Sequence, residues 1–317
     1  MFRLWMWFCP ADHLYHPGLF RVFGNRLEPI SILKEGHMTR IIADTTSCLD
    51  PVFASTYDIP VIPQVINFGN ESFIEGVDID HATFIQKLRA SPTLPKTAAP
   101  PPGLFIEAFR RFVPTGEPIL CIHPSSDVSG TVRSALTAKA EFPEADIRVL
   151  DTRLVASPLG TLVEQAARWN QAGRTIDEIQ ADLNAMIPRC KIYFLVATLE
   201  YLAKGGRIGG ATALLGSLLQ IKPILTFVDG RVDQFEKERT MKHAVTRLKE
   251  LVITQYPTRG EGFLSIMHAG VPDQGQALAD DLKSALKLET VPIVDVPPAI
   301  VSNGGPGILG VGFFINP

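Results

Sequence analysis

From Thr39 to Ile187, short apolar runs alternate with amphipathic stretches of helical period, and this alternation constrains the fold more than any other feature of the chain. The runs "RIIAD", "IPVIPQVINF", "PILCIHP" and "DIRVLDT" read as strands. Between and after them, "DHATFIQKLRAS", "LFIEAFRRFV", "SGTVRSALTAKAEF", "PLGTLVEQAARWNQAG" and "TIDEIQADLNAMI" read as helices. In the first of these, Ala82, Phe84, Ile85 and Leu88 fall on one face behind Asp80, a good N-cap. Strands alternating with helices of about 10 to 15 residues imply a parallel sheet with crossover helices, an α/β unit of Rossmann-like form. The five prolines of "PTLPKTAAPPPG" forbid both a helix interior and a central strand, so this segment is expected to be an extended, stiff loop.

The second half has a different grammar. It opens on the strand "KIYFLVA", and "ILTFVDGRVDQFEKER" places Asp229-Gly230 between two alternating runs, a strong hairpin signal. Helices "TMKHAVTRLKELVITQ" and "GQALADDLKSALK" and strands "GFLSIMHAG", "VPIVDVP" and "ILGVGFF" follow, which makes an α+β unit with a mixed sheet. A chain of 317 residues exceeds one ordinary core. The expected division is an α/β domain over 38–185 and an α+β domain over 186–317. Residues 1–37 are unlike the rest, and a second methionine, Met38, stands directly before the first convincing strand. They are expected to be a poorly ordered N-terminal extension.

Several function classes fall away on composition. A formal net charge of −3 with 20% charged residues carries no nucleic-acid footprint. No apolar run reaches the ~18 residues of a membrane-spanning helix, so no integral membrane segment is expected. The four cysteines form no C-x-x-C pair, and His13 and His16 lack carboxylate or thiolate company. No metal and no cofactor are therefore expected, and a reducing cytoplasm is the simplest setting.

Three segments bear chemistry. In "CIHPSSDVSGTVRSA", Ser125, Ser126, Ser129 and Thr131 crowd a strand-to-helix turn at the carboxyl edge of the parallel sheet, where ligands bind. Hydroxyls beside unpaired backbone N–H groups suit an anion such as a carboxylate. The same residues also suit a helix cap and a turn. A serine hydrolase or acyltransferase using Ser125 or Ser126 with His123 is the alternative, although the segment is not a G-x-S-x-G elbow. In "YLAKGGRIGGATALLGSLLQIKPIL", Gly205, Gly206, Gly209 and Gly210 bracket Arg207, and an apolar helix with the small residues Ala211, Ala213, Gly216 and Ser217 is expected to follow. Such a helix suits a greasy channel or ordinary packing, and the glycine pattern is not a phosphate loop. In "VSNGGPGILGVGFF", Asn303 precedes Gly304, Gly305 and Gly307, which admit a close backbone approach to a ligand or a tight crossing.

Taken in order, "RIIADTTSCL", "PKTAAPPPG", "SSDVSGTVRSA", "LEYLAKGGRIGGATALLGSLLQIKPIL" and "GGPGILG" resemble the DegV-like fatty-acid-binding family over residues 39 to 315. The resemblance implies two domains holding one long-chain fatty acid between them. It also implies service as the lipid-carrying subunit of a bacterial fatty acid kinase, with a separate ATP-dependent subunit forming the acyl phosphate for phospholipid synthesis. It implies carboxylate contacts from Thr97 in the proline loop and from the serine pair Ser125 and Ser126, with Ser126 favoured and Ser129 as cap or neighbour. A family histidine is replaced by Asn303, which can donate an amide hydrogen bond but carries no charge. The family's T-S-Q-P-S reads T-A-A-P-P here, which removes two polar side chains. By the same resemblance Arg207 docks the kinase subunit, and the chain is itself no enzyme.

Overall fold

The apolar runs pair as their alternation requires. The computed structural model describes residues 20–23, 26–29, 38–215 and 221–316. Residues 1–36 and 37–317 are two compact units. In the first, β1 (Phe20–Phe23) and β2 (Arg26–Pro29) pair as an antiparallel hairpin. Otherwise the poor order expected of residues 1–37 lies outside the described residues.

The second unit begins with β3 (Arg40–Asp44), α1 (Pro51–Thr56), β4 (Val61–Ile62), β5 (Val65–Phe68), β6 (Glu71–Ile74), α2 (His81–Ala90), β7 (Lys96–Ala98) and α3 (Pro102–Phe112). It continues through β8 (Ile119–His123), α4 (Thr131–Lys139), β9 (Ile147–Asp151), α5 (Ser157–Gln171) and α6 (Ile176–Met186). Strands β4-β3-β8-β9 form an all-parallel sheet, as the alternation requires. Asp80 caps α2 by accepting from the Thr83 N–H at 2.7 Å. The run "IPVIPQVINF" is not one strand: Pro63, which has no N–H to donate, separates β4 from β5. β5 leaves the parallel sheet to become the central strand of a three-stranded antiparallel sheet, order β6-β5-β7. The proline-rich segment is not a loop throughout: its proline-free centre forms edge strand β7 of that sheet, and its last residues, Pro102 and Gly103, open α3.

The remaining elements are β10 (Cys190–Leu195), α7 (Glu200–Lys204), β11 (Lys222–Val228), β12 (Arg231–Glu238), α8 (Met241–Gln255), β13 (Ser265–His268), α9 (Pro272–Leu286), β14 (Ile293–Asp295), α10 (Pro298–Gly304) and β15 (Leu309–Phe314). Their six-stranded sheet, order β12-β11-β10-β15-β13-β14, is mixed: β13 pairs β14 in parallel and every other pairing is antiparallel. Asp229 and Gly230, both at positive φ (47° and 79°), make the β11–β12 turn. The apolar helix expected after Arg207 is instead a 3-10 turn over Gly209–Leu214. Positive φ at Gly206 and Gly209 breaks α geometry there. Residues 216–220, with Gly216 and Ser217, lie outside the described residues.

Strand period decides what each face of the mixed sheet meets. Tyr193, Leu195, Leu309, Val311 and Phe313 point to α8 and α9 and form a core with Leu248 and Leu282. On the opposite face, Ile192 and Met267 join a larger core shared with Ile41, Leu120 and Leu159 of the parallel-sheet half. Helix α5 touches both sheets, and Leu159, Leu162, Val163 and Ala166 are completely buried between them. The outer face of the parallel sheet packs Phe105 and Phe109 of α3 against Ile42, Ile119 and Cys121.

Candidate functional site

A cavity of about 130 Å³ lies where the carboxyl-end loops of the parallel sheet meet the inner face of the mixed sheet. One wall is apolar: Ile192 and Phe194 of β10, Phe227, Val232, Met267 and Gly310. In the pairing register Phe194 stands opposite Gly310, and Gly310 opposite Met267, so a missing side chain leaves a trough between two large ones. Thr97, Ser129, Asn303 and Arg207 bring polar atoms to the same cavity.

The four hydroxyls of the turn after β8 go to different places. Ser125 is fully buried, and its Oγ donates to the Gly230 carbonyl at 2.7 Å while accepting from the Asp127 N–H at 3.2 Å. It builds the turn and ties it to the β11–β12 hairpin. Ser126 is exposed and donates to Asp151 Oδ2 at 2.5 Å, away from the cavity lining. Ser129 lines the cavity. It does not occupy the cap position of α4, which falls to Gly130 without a side-chain bond. Instead its Oγ accepts from the Thr131 N–H at 3.3 Å and lies 2.8 Å from Thr131 Oγ1.

Thr97 and Asn303 are brought together from 206 residues apart. Asn303 Nδ2 donates to Thr97 Oγ1 at 3.2 Å and to the Ala299 carbonyl at 3.0 Å. A carbonyl only accepts, so Ala299 fixes which end of the amide faces inward. With both Nδ2 protons engaged, Asn303 backs Thr97, and no hydrogen bond among the described residues claims the Thr97 O–H. The proline segment and the serine turn also touch, since a Cβ on Gly130 would stand 3.2 Å from that of Ala99. Asn303 sits on α10, a helix unforeseen in the sequence, although Pro298 at its first turn and Gly305 after its end are the residues that start and stop helices. Buried Glu75 anchors that helix to the first half of the chain by accepting from the Ala299 N–H at 2.7 Å and from the Thr45 hydroxyl. Burial pushes the Glu75 carboxyl up from its ordinary range.

Behind Ser129 runs a buried polar network that sequence reasoning missed. Asp44 accepts from the Thr46 N–H (3.0 Å), the Thr46 hydroxyl (2.6 Å) and Gln64 Nε2 (3.1 Å), and its other oxygen faces His123 Nδ1 at 2.9 Å. Gln64 Nε2 also donates to Thr131 Oγ1 at 2.9 Å. The available signal was a lone polar residue, Gln64, inside an apolar strand run. His123 is wholly buried against the edge of Phe105, and its Nε2 has no partner. Neither Ser125 nor Ser126 bonds it, so the Ser–His pairing of a hydrolase is not assembled. Arg207 is half-buried, its Nε on the Val128 carbonyl (3.1 Å) and its Nη1 on that of Gly205 (2.6 Å), which ties the glycine loop to the serine turn.

Among the described residues no three His, Cys, Asp or Glu side chains converge to hold a metal ion, and no helix is long and apolar enough to cross a membrane. A family model described as "Uncharacterised protein, DegV family" matches residues 38–316. A DegV domain-containing protein of Halalkalibacterium halodurans is 34% identical over 277 residues, 87% of this chain and 98% of the relative. The fold is similar to that of a fatty-acid-binding DegV family protein from Thermus thermophilus, with a TM-score of 0.81 and 29% identity over 88% of this chain and 100% of that one. It is also similar to a stearic-acid-binding protein from Eubacterium ventriosum, with a TM-score of 0.79 and 25% identity over 88% of this chain and 98% of that one.

Proposed function

Because the chain belongs to the DegV family, we propose that its cavity holds one long-chain fatty acid, head group at Thr97 and Ser129 and tail along the Phe194–Gly310–Met267 trough. The ligand then lies between an α/β domain of residues 38–185 and an α+β domain of residues 186–317. The observation that carries this is one cavity lined by an apolar sheet face on one side and by the hydroxyl residues Thr97 and Ser129 on the other. Burying about fourteen methylenes at ~0.8 kcal/mol each gives roughly 11 kcal/mol before ordering costs. A hydroxyl donating to a carboxylate adds ~1.5 to 3 kcal/mol at best. The tail therefore supplies affinity and the hydroxyls fix its end. Of the serines, Ser129 is the contact, because the hydroxyls of Ser125 and Ser126 are held by Gly230 and Asp151.

The test is mass spectrometry of lipid released from the denatured purified protein, followed by titration of lipid-free protein with oleate. A C14 to C18 acid, or micromolar uptake, is expected. Finding neither would sink the proposal. In the fuller form of the proposal the chain is a cytoplasmic, non-catalytic carrier that presents the carboxylate to an ATP-dependent kinase subunit for acyl phosphate formation. Arg207, at the cavity edge beside the serine turn, is the docking residue. Arg207→Ala is expected to keep its lipid and lose turnover with the kinase subunit, and unchanged turnover would remove Arg207 from that role.

A further inference from the structure

We propose that Gln64 and Thr131 act through Ser129 as positioning residues that turn its hydroxyl into a donor and so select an ionised carboxylate over a neutral head group; Gln64 also lines the cavity, whereas Thr131 does not. This rests on the fatty-acid reading of the cavity. The inference follows from the direction of each hydrogen bond. Asp44 Oδ1 already accepts from the Thr46 backbone N–H, so this carboxylate oxygen is an acceptor and the Gln64 amide must present its nitrogen to it. The second proton on that nitrogen goes to Thr131 Oγ1, 2.9 Å away. Thr131 is completely buried, and among the described residues the acceptor its own proton bonds is Ser129 Oγ at 2.8 Å. Ser129 Oγ then accepts from the Thr131 hydroxyl and from the Thr131 N–H, and its proton is directed into the cavity.

Asn303 Nδ2 takes one lone pair of Thr97 Oγ1 in the same way and leaves the other open. At Ser129 both lone pairs are taken, so this hydroxyl offers a ligand a proton and no acceptor. A carboxylate oxygen, which only accepts, matches it, and an alcohol that turns its own proton toward Ser129 does not. Arg207 also lines the cavity, so preference for an anion is not by itself diagnostic, and variants behind Ser129 decide.

The experiment measures Kd for oleate and for oleyl alcohol at pH 8 on lipid-free wild type, Thr131→Val, Thr131→Ser and Gln64→Met, each checked for its melting transition. Wild type is expected to prefer oleate by at least tenfold. Thr131→Val and Gln64→Met each lower oleate affinity about tenfold and leave oleyl alcohol within about twofold, so the ratio collapses. Thr131→Ser keeps it. Packing damage alone would weaken both ligands together and leave the ratio standing, which overturns the proposal. Equal binding of the two lipids by wild type overturns it without any variant. If only one of the two variants folds, its ratio decides; where both fold and disagree, Thr131→Val decides, because Gln64 itself lines the cavity. Wild type that binds oleate while both variants retain the preference refutes the relay and spares the carrier function, whereas wild type that binds no oleate refutes both.

Discussion

Gly310 offers a direct measure of where the tail runs. It lies in register between Phe194 and Met267 on the cavity wall, and a Cβ added there would come within 3.0 Å of Phe194 Cβ and 3.4 Å of Met267 Cε. Its backbone is ordinary extended strand, so a side chain meets crowding and no conformational strain. Gly310→Val puts three carbons into the trough and displaces about as many ligand methylenes. At ~0.8 kcal/mol each the loss is about 2.4 kcal/mol, roughly sixtyfold in Kd. Gly310→Ala displaces one and costs about fourfold. These losses apply only to chains long enough to reach the trough. The assay is a Kd series for saturated acids from C8 to C18 on lipid-free protein. Wild type is expected to gain a constant factor per methylene, and Gly310→Val to follow it up to a break point and then stop gaining. Parallel lines for wild type and variant at all lengths, with or without an offset, would refute this placement of the tail.

Three further outcomes follow from the same contacts. Thr97→Val removes one donor to the carboxylate and is expected to weaken oleate binding ten- to a hundredfold, while Ser126→Ala, whose hydroxyl serves Asp151, is expected to leave titrations unchanged. Burial raises the Glu75 carboxyl, so the folded chain keeps a proton that the unfolded chain releases above the ordinary glutamate range. Its stabilising share is full at pH 4 and fades as pH rises through the raised value. Melting curves should therefore place Glu75→Gln level with wild type at pH 4 and above it at pH 8, and parallel pH profiles would contradict this. Gly230→Ala would set a Cβ 2.3 Å from Ser125 Oγ at a φ of 79°, and an unfolding free energy lowered by at least about 1 kcal/mol, read from denaturant titration, is expected.

The elements legible in the sequence are those whose cause is local. Periodicity marks β3, β8, β9 and helices α2, α3 and α4 between them, though not α1, Asp80 announces α2, and Asp229-Gly230 announces the β11–β12 turn, because each is settled within a few residues. Helix α10 is too short, at seven residues between prolines and glycines, for periodicity to show. The division of labour among Ser125, Ser126 and Ser129 was not legible either. Ser125 is claimed by a carbonyl 105 residues away and Ser126 by a carboxylate 25 residues away, and nothing in "HPSSDVSG" records those partners.

The buried Asp44 explains why an amide occupies position 64. A ligand carboxylate at Ser129 and the Asp44 carboxylate are like charges in one half of the molecule, and each needs donors. Asp44 collects four, from Thr46 twice, from His123 and from Gln64. Gln64 must serve Asp44 and also start the chain of donors toward the ligand, which requires two diverging protons on one neutral atom. Of the uncharged side chains, only the amides of Asn and Gln carry such a nitrogen. A hydroxyl at this position would satisfy Asp44 and leave Thr131 without a donor, free to turn its proton away from Ser129. A carboxylate would oppose Asp44 outright, and leucine would strand both neighbours. The choice of residue in the link between β4 and β5 thus follows from the need to point donors at two anions at once.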